Sequence, residues 1–465
     1  MADQSGTSLR TGHPDLCSGP LFSKILIYAL PIMLTNVLQL LFNAVGMIVV
    51  GRYSGSEALA AVGATSELIN LIVNLFLAFS VGASVVLAQD YGAGKPDEVN
   101  CSVHTAIAIS IIGGLLLMGL GLIFCTPLLV LLGTPADIIG LSTLYMRIYF
   151  LGIPASMIYN FGAAILRAVG DSRRPMGYLL LSGSLNVLLS LFFVLALHRG
   201  VDGVAWAAAI SQYAAMVLII ICLCRSEGMI RLDLRRLRID RRKLKQMVWI
   251  GLPAGLQSLL FSVSNVLIQS AVNSFGSTLV AANSAARNIE GFISTTMNAY
   301  YIAAVTFTGQ HMGARKYARI DAIAKAFMVL VLATWLLLGG AMVLFSRPLV
   351  SLYTTDPVVI ELGMLRLNIM MAAYFACGVL VVLPGLIRGM GYSVLPMICT
   401  LTGACLMRIV WLVTFFAWKP TVVMLFLCYP VTWVLTAIAL AVSFFYVRRQ
   451  VRLKAGLPIS DIITA

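Results

Sequence analysis

Long apolar stretches without a charged residue alternate with short polar segments along the whole chain. Five of them contain no Asp, Glu, Lys or Arg: 25–51, 175–198, 203–224, 326–346 and 421–447. Each is near or above the roughly 20 residues that a helix needs to cross a bilayer. The pattern therefore predicts an all-α integral membrane protein.

The polar breaks divide the chain into twelve transmembrane helices, six in each half. We predict them at 25–50, 58–88, 104–124, 139–166, 175–197, 203–224, 247–272, 279–308, 325–346, 358–387, 396–418 and 421–446. An even number of crossings places both chain ends on the same side of the membrane.

The second half repeats the first at an offset of 221 or 222 positions. The matched positions include Pro31 with Pro253, Asn43 with Asn265, Gln89 with Gln310 and Arg167 with Arg388. Several matches at one offset and in one order indicate two homologous halves. Because each half has six helices, both copies point the same way in the membrane, and we expect a cavity between them.

The expected organisation is a first six-helix bundle with a short cytoplasmic lead (1–224), a basic cytoplasmic linker (225–245) and a second six-helix bundle with a basic tail (246–465). The linker contains nine basic and three acidic residues. We interpret it as a segment that fixes topology and touches anionic lipid headgroups. The alternative is a regulatory or partner-binding segment.

Charge supports a membrane partner and argues against nucleic acid. Only 11% of the residues are charged and 60% are hydrophobic, whereas soluble proteins have about 25% charged residues. The net charge is +14, but 24 of the 32 lysines and arginines fall in segments predicted to be cytoplasmic, as the positive-inside rule requires. We expect a monomeric, multi-pass protein of a bacterial-type inner (plasma) membrane with both termini cytoplasmic.

The sequence contains no recognisable catalytic set. The four histidines lack metal-ligand spacing, the nine cysteines are scattered without a C-x-x-C pair, and there is no P-loop for ATP. The chain is therefore not expected to be an enzyme, to bind a metal centre or to need a cofactor. Energy for transport would come from an ion gradient or from the gradient of the substrate.

The predicted helix at 279–308 carries a polar stripe on an otherwise apolar surface. The stripe consists of Asn283, Arg287, Glu290, Ser294 and Asn298, spaced by three or four residues, which places them on one helix face. Ionisable groups within a membrane helix usually face a cavity or a partner. Arg287 and Glu290 either form a structural pair with each other, or Glu290 titrates during transport.

Other polar residues within predicted helices have two interpretations each. Glu67 is a second candidate for ion coupling. The amides of Gln39, Asn43, Gln257 and Asn265 lie in the first helix of each half and either line a cavity or join helices by hydrogen bonds. Arg408 either meets an anionic substrate group or bonds to backbone carbonyls.

Prolines lie within or near the ends of four predicted helices, at Pro31, Pro154, Pro253 and Pro384. Each removes a backbone hydrogen bond and permits a kink. Kinks in the first helix of each half are expected to help change access to the cavity.

Several stretches together resemble the multidrug and toxic compound extrusion (MATE) family over nearly the whole chain. They are ALPIMLTNVLQLLFNAVGMIVVGRYSG, SVGASVVLAQDYGAG, LRAVGDSRRPM, NIEGFISTTMNAYYIAAVTFTGQHMGARKY and IRGMGYSVLPM. The resemblance implies a V-shaped, alternating-access antiporter that exports small organic, often cationic, compounds in exchange for protons or sodium. The wider superfamily also holds lipid-linked oligosaccharide flippases, so the alternative is a flippase or exporter of a lipid-linked or anionic substrate.

The chain departs from this family at its usual amino-terminal coupling site. Many relatives have an aspartate where this chain has Gly46, and Asn-x-x-x-Asp where it has Asn186 and Ser190. Coupling is therefore expected through Glu290, with a proton or a sodium ion beside it and with Glu67 as a helper. Four arginines and only two clear carboxylates lie within the helices, so an anionic or zwitterionic substrate is expected as much as a cationic one. The residues expected to line the substrate cavity are Gln39, Asn43, Asn186, Gln257, Asn265, Arg287, Ser294, Asn298 and Arg408.

Overall fold

The computed structural model describes residues 15–53, 56–131, 134–135 and 137–456, and these fold into twelve long helical segments. In chain order they are α1 (Leu21–Tyr53), α2 (Ser56–Gly92), α3 (Pro96–Leu131), α4 (Ile139–Ala168), α5 (Arg173–Ala196), α6 (Val201–Arg225), α7 (Arg241–Asn273), α8 (Ser277–Gly313), α9 (Arg319–Leu344), α10 in two parts (Pro357–Ala372 and Tyr374–Gly389), α11 (Val394–Phe416) and α12 (Val422–Lys454). A short helix, Ser346–Ser351, precedes α10.

The predicted all-α membrane architecture is confirmed. Nine of the helices are long and apolar enough to cross a membrane, and α10 makes a tenth when its two parts count as one span, within the described residues. The other two, α2 and α8, have 37 residues each. Polar residues interrupt the apolar surface of α8, as the stripe in its sequence indicates.

Several helices extend beyond their predicted ends. The helix predicted at 247–272 begins at Arg241, because the carboxylate of Asp240 caps it and accepts a hydrogen bond from the Lys243 amide at 2.9 Å. This bond holds the pKa of the Asp240 carboxyl below its ordinary value. Before it, the linker forms two short 3-10 turns, Gly228–Ile230 and Leu234–Arg236.

A sharp bend divides α10 into two parts. Its two parts meet at an angle of 53° on either side of Ala373, eleven residues before Pro384, where the sequence suggested a kink. Pro384 itself lies inside the second part of the helix. The bend therefore comes from the loss of α-helical geometry at Ala373, where φ is −120° and ψ is 15°.

Two hydrophobic cores form, and each takes in one end of a helix from the other half of the chain. The first core contains buried residues of α2–α6 together with Met247 and Ile250 of α7. The second contains buried residues of α8–α12 together with Ile25 and Tyr28 of α1. The two halves thus exchange helix ends on the side of the molecule where the linker lies, which we call the linker end.

Paired hydrogen bonds join the two halves at the linker end. The side-chain amide of Gln89 donates to the carbonyl oxygen of Gly389 at 2.9 Å, and that of Gln310 donates to the carbonyl oxygen of Ala168 at 2.7 Å. All four positions correspond by the repeat offset of 221. The contact between the halves therefore follows the internal symmetry of the chain.

Glycines permit the halves to approach closely at the same place. A methyl group added at Gly92 would overlap the carbonyl oxygen of Gln310, and one added at Gly313 would overlap that of Gln89. Both obstacles are backbone atoms. These two glycines, also related by the repeat, close the linker end.

The halves separate toward the opposite end. There α1 returns to the first core through Val49 and Val50, and α7 returns to the second core through Ile268 and Val272. Since each helix joins its own bundle at this end and the other bundle at the linker end, the two bundles form a V that is closed at the linker end.

Candidate functional site

A cavity of about 560 Å³ lies between the two bundles, above the closed linker end. Its volume is within the range of small-molecule sites, roughly 300–1,000 Å³. Residues of α1, α2 and α4 line one side, and residues of α7, α8, α10 and α11 line the other. The polar and aromatic-hydroxyl lining residues are Thr35, Asn36, Gln39, Ser80, Ser84, Tyr159, Asn160, Arg167, Gln257, Ser258, Asn298, Tyr301, Arg388 and Thr400.

Two arginines lie near the closed end of this cavity. Arg167 is in the last turn of α4 and Arg388 is in the last turn of α10, where the helix dipole favours a positive charge. They correspond to each other by the repeat. The Arg388 guanidinium donates to the Tyr301 hydroxyl at 2.7 Å and to Oε1 of Gln257 at 2.6 Å.

Three of the nine residues predicted to line the cavity do so: Gln39, Gln257 and Asn298. Gln39 and Gln257 come from the first helix of each half, and Asn298 comes from the polar stripe of α8. The side chain of Asn43 lies outside the described part of the structure, as does that of Glu67.

Glu290 lies in a second polar site, inside the second bundle. Its carboxylate Oε2 is 3.0 Å from a guanidinium nitrogen of Arg366 on α10, and the two side chains are only 13% and 3% exposed. Arg366 also donates to the carbonyl oxygen of Asn283 at 3.1 Å and lies over the Phe426 ring at 5.6 Å. The pair thus links α8, α10 and α12.

The pairing of Glu290 with Arg287, which the sequence spacing suggested, is wrong. Arg287 is exposed, and it has no ion pair with any described residue. Arg366 is a better partner because α10 brings its guanidinium into the buried interior of the bundle. Carboxylate Oε1 of Glu290 is also buried and has no hydrogen-bond partner within the described ranges.

Arg408 and Asn265 form a separate contact in the second bundle. The Arg408 guanidinium donates to Oδ1 of Asn265 at 3.0 Å and lies between the rings of Phe261 and Tyr429, at 5.0 and 4.7 Å. Arg408 is 1% exposed. It is not among the residues that line the cavity, and its partners among the described residues are an amide and two aromatic faces, not backbone carbonyls.

The other predicted residues lie elsewhere. Asn186 donates to the Ser211 hydroxyl at 3.2 Å inside the first bundle, and the hydroxyl of Ser190 is buried there without a partner among the described residues. Ser294 is exposed on α8. No group of three or more His, Cys, Asp or Glu side chains that could hold a metal ion occurs in the described part of the chain.

A family model described as MatE matches the chain twice, over residues 31–192 and 253–414. The chain belongs to the MatE family. The two matches coincide with the two repeats that the sequence predicts.

The relatives of this MatE protein include proteins named for multidrug resistance and for transport. "Probable multidrug resistance protein YoeA" of Bacillus subtilis (strain 168) is 27% identical over 388 residues, which cover 81% of this chain and 82% of that protein. A "FAD transporter" of Shewanella oneidensis is 26% identical over 374 residues, which cover 79% and 82%. A solved structure described as the outward-facing conformation of a multidrug resistance MATE family transporter of the MOP superfamily has a TM-score of 0.86 at 22% identity, and covers 96% of this chain and 99% of that one.

Two arginines of this MatE protein, Arg167 and Arg388, line the cavity but are not among the cavity residues predicted from the sequence. The sequence contained a usable signal, because both arginines begin the repeated motif Arg-x-x-Gly that marks the duplication. In the sequence, that motif indicates only the common ancestry of the two halves. The two arginines lie in the last turns of matched helices, and they form a site only when the two halves meet.

Proposed function

We propose that this MatE protein is a secondary active antiporter that exports small organic compounds by alternating access. The observation that carries the proposal is the V formed by two related bundles. The polar cavity between them is closed at the linker end, where matched hydrogen bonds join the halves. Because these contacts lie at one end and follow the internal symmetry, the bundles can rock about them and expose the cavity to the other side. One chain supplies both bundles, which supports a monomer.

The linker end is assigned to the cytoplasm. Segments at this end include the linker and the tail, where basic residues are concentrated, and the positive-inside rule places such segments in the cytoplasm. The conformation described is then open away from the cytoplasm. A substrate in the cavity would be released outward from this state.

Glu290 is the proposed coupling group, and a proton is favoured over sodium. Protonation of its carboxylate would remove the negative charge that faces Arg366 at 3.0 Å. Arg366 lies in the part of α10 before the bend at Ala373, so a change in the pair is positioned to change that bend. A sodium ion at the same carboxylate would lie close to the guanidinium charge, which disfavours it.

A gradient-driven transport assay tests this proposal. In proteoliposomes with the wild-type protein, an imposed pH gradient should drive accumulation of a fluorescent dye. In Glu290→Gln, coupling should fall by roughly tenfold or more, because the amide cannot titrate although it still offers Arg366 an acceptor. Glu361→Gln, the same change at an exposed position of α10, should keep full coupling.

Two outcomes would redirect or end the proposal. Loss of coupling in Glu67→Gln with full coupling in Glu290→Gln would move the coupling site to the first bundle. An absence of wild-type dye movement under separate proton and sodium gradients would contradict ion-coupled export.

A second candidate, export of an anionic substrate, is favoured by the charge of the cavity. The lining residues include two arginines and, among those described, neither aspartate nor glutamate. The relative from Shewanella oneidensis is named for FAD, a compound with two phosphates. This candidate uses the same cavity and the same rocking of the bundles.

A further inference from the structure

The two arginines of the cavity are equivalent by sequence but not by environment. Arg388 is buried, with 4% of its surface exposed, and its two hydrogen bonds fix it against α7 and α8. Its guanidinium also lies 5.8 Å from the Tyr301 ring centroid. The chain therefore supplies its own acceptors for this charge.

Arg167 lacks such acceptors. No hydrogen bond or ion pair joins its guanidinium to any side chain or carbonyl in the part of the chain that the structure describes. Its own carbonyl oxygen, in contrast, accepts a hydrogen bond from the Tyr28 hydroxyl at 2.9 Å. The backbone is therefore fixed while the charged group faces the cavity, where it is one of the lining residues.

The repeat explains the difference. By the offset of 221 or 222 positions, Gln257 corresponds to Thr35 and Tyr301 corresponds to Ser80. Both counterparts line the cavity, but each is shorter than its match. The hydroxyl of Thr35 donates to the carbonyl oxygen of Pro31 at 2.7 Å, within its own helix. The first half thus offers Arg167 no counterpart of the two side chains that accept from Arg388.

Two nearby carboxylates with described side chains, Asp171 and Glu290, do not neutralise Arg167. Asp171, one turn further along the chain, accepts from the amides of Arg173 and Arg174 and pairs with the Arg174 side chain at 3.1 Å. Glu290 forms an ion pair with Arg366.

We propose that Arg167 is the substrate-binding residue for an anionic group, and that the cavity takes small soluble organic anions bearing a phosphate or a carboxylate. Arg388 adds a second positive charge in a fixed position. The amide side chains of Asn36, Gln39 and Asn160 also line the cavity. Guanidinium groups bind phosphate and carboxylate through two parallel hydrogen bonds. This inference rests on the proposed transport function, since it names the substrate class of the same cavity.

Riboflavin and riboflavin 5′-phosphate are the probes, because they share one ring system and differ by a single phosphate. Binding to the full-length wild-type protein, measured by flavin fluorescence, should favour the phosphate form by roughly tenfold or more. Arg167→Gln should reduce this ratio to near one, because the loss of the guanidinium weakens binding of the phosphate form more than binding of riboflavin. Arg167→Lys, which keeps the charge but not the paired geometry, should give an intermediate ratio. An undiminished ratio in Arg167→Gln overturns the proposal.

The repeat offers a matched variant that keeps every charge. Thr35→Gln with Ser80→Tyr gives Arg167 the acceptors that Arg388 already has, so the ratio should fall although no arginine is removed. If riboflavin binding persists and the phosphate preference is unaffected in this double variant, the explanation from the repeat is overturned.

Two further comparisons test the anion site separately from the transport function, and a soluble ligand separately from a lipid headgroup. Gradient-driven dye transport by the wild type without any phosphate preference overturns the anion site and leaves the transport function standing. Phosphate preference without transport overturns the transport function and leaves the anion site standing. Binding is compared in phosphatidylcholine vesicles with and without phosphatidylglycerol. An equal ratio in both supports a soluble ligand, whereas competition by phosphatidylglycerol in the wild type but not in Arg167→Gln overturns the soluble source in favour of a lipid headgroup.

Discussion

Replacing Gly313 with alanine should stop transport by preventing closure of the linker end. The added methyl group would overlap the backbone carbonyl of Gln89 on α2, and a backbone atom in a packed helix cannot move aside as a side chain can. We expect a cost of about 3 kcal/mol in the closed state, the upper end for overpacking. This corresponds to a shift of roughly 100-fold toward states in which the linker end is open.

Distance measurement between the two halves checks this expectation directly. Spin labels at Lys95 and Arg315, both exposed in the turns that follow α2 and α8, should give a longer distance in Gly313→Ala than in the wild type. Gly92→Ala, the repeat-related change against Gln310, should act in the same direction. Gly177→Ala is the control, because a methyl group there meets no atom within 4 Å. Unchanged distances with full transport in Gly313→Ala would show that this contact does not close the linker end.

Replacing Arg366 with methionine should destabilise the second bundle strongly. The substitution leaves the Glu290 carboxylate buried without its partner, and its Oε1 already has none among the described residues. Breaking a buried ion pair from one side costs about 3–5 kcal/mol, because the remaining charge is uncompensated. Denaturant unfolding of the purified protein in detergent should show this loss.

A second substitution tests whether the lost charge balance is the cause. Arg366→Met with Glu290→Gln removes both charges, so most of the lost stability should return. Arg287→Met makes the same chemical change at an exposed position of α8, where about 0.5 kcal/mol or less is expected. Equal losses in Arg366→Met and Arg287→Met would contradict a stabilising role for the buried pair.

Much of the fold could be predicted because a membrane-spanning helix requires a long apolar stretch without charges, which is visible in the local composition. A stretch such as 203–224, free of charge, has few alternatives to a spanning helix, and the repeat offset then fixes the number of helices in each half. Helix ends were less predictable. Asp240 starts α7 six residues before the apolar stretch begins, because a capping side chain extends a helix into polar sequence.

The site was predicted less completely because its charges are paired across helices. Spacing along α8 suggested Arg287 as the partner of Glu290, but packing supplied Arg366 from α10. Spacing within one helix cannot show which neighbour will bring a competing charge. For Arg167 and Arg388 the difficulty was the opposite: their motif was visible, but their role depends on which side chains surround each of them.

The exchange of helix ends between the two cores has a consequence for biosynthesis. The ribosome makes α1 first, yet Ile25 and Tyr28 pack into a core built from α8 to α12. The amino-terminal half of α1 must therefore wait in the bilayer, without its permanent neighbours, until the second bundle is inserted. The first six helices expressed alone would also lack Met247 and Ile250 from their own core, so neither half of the chain is a complete folding unit.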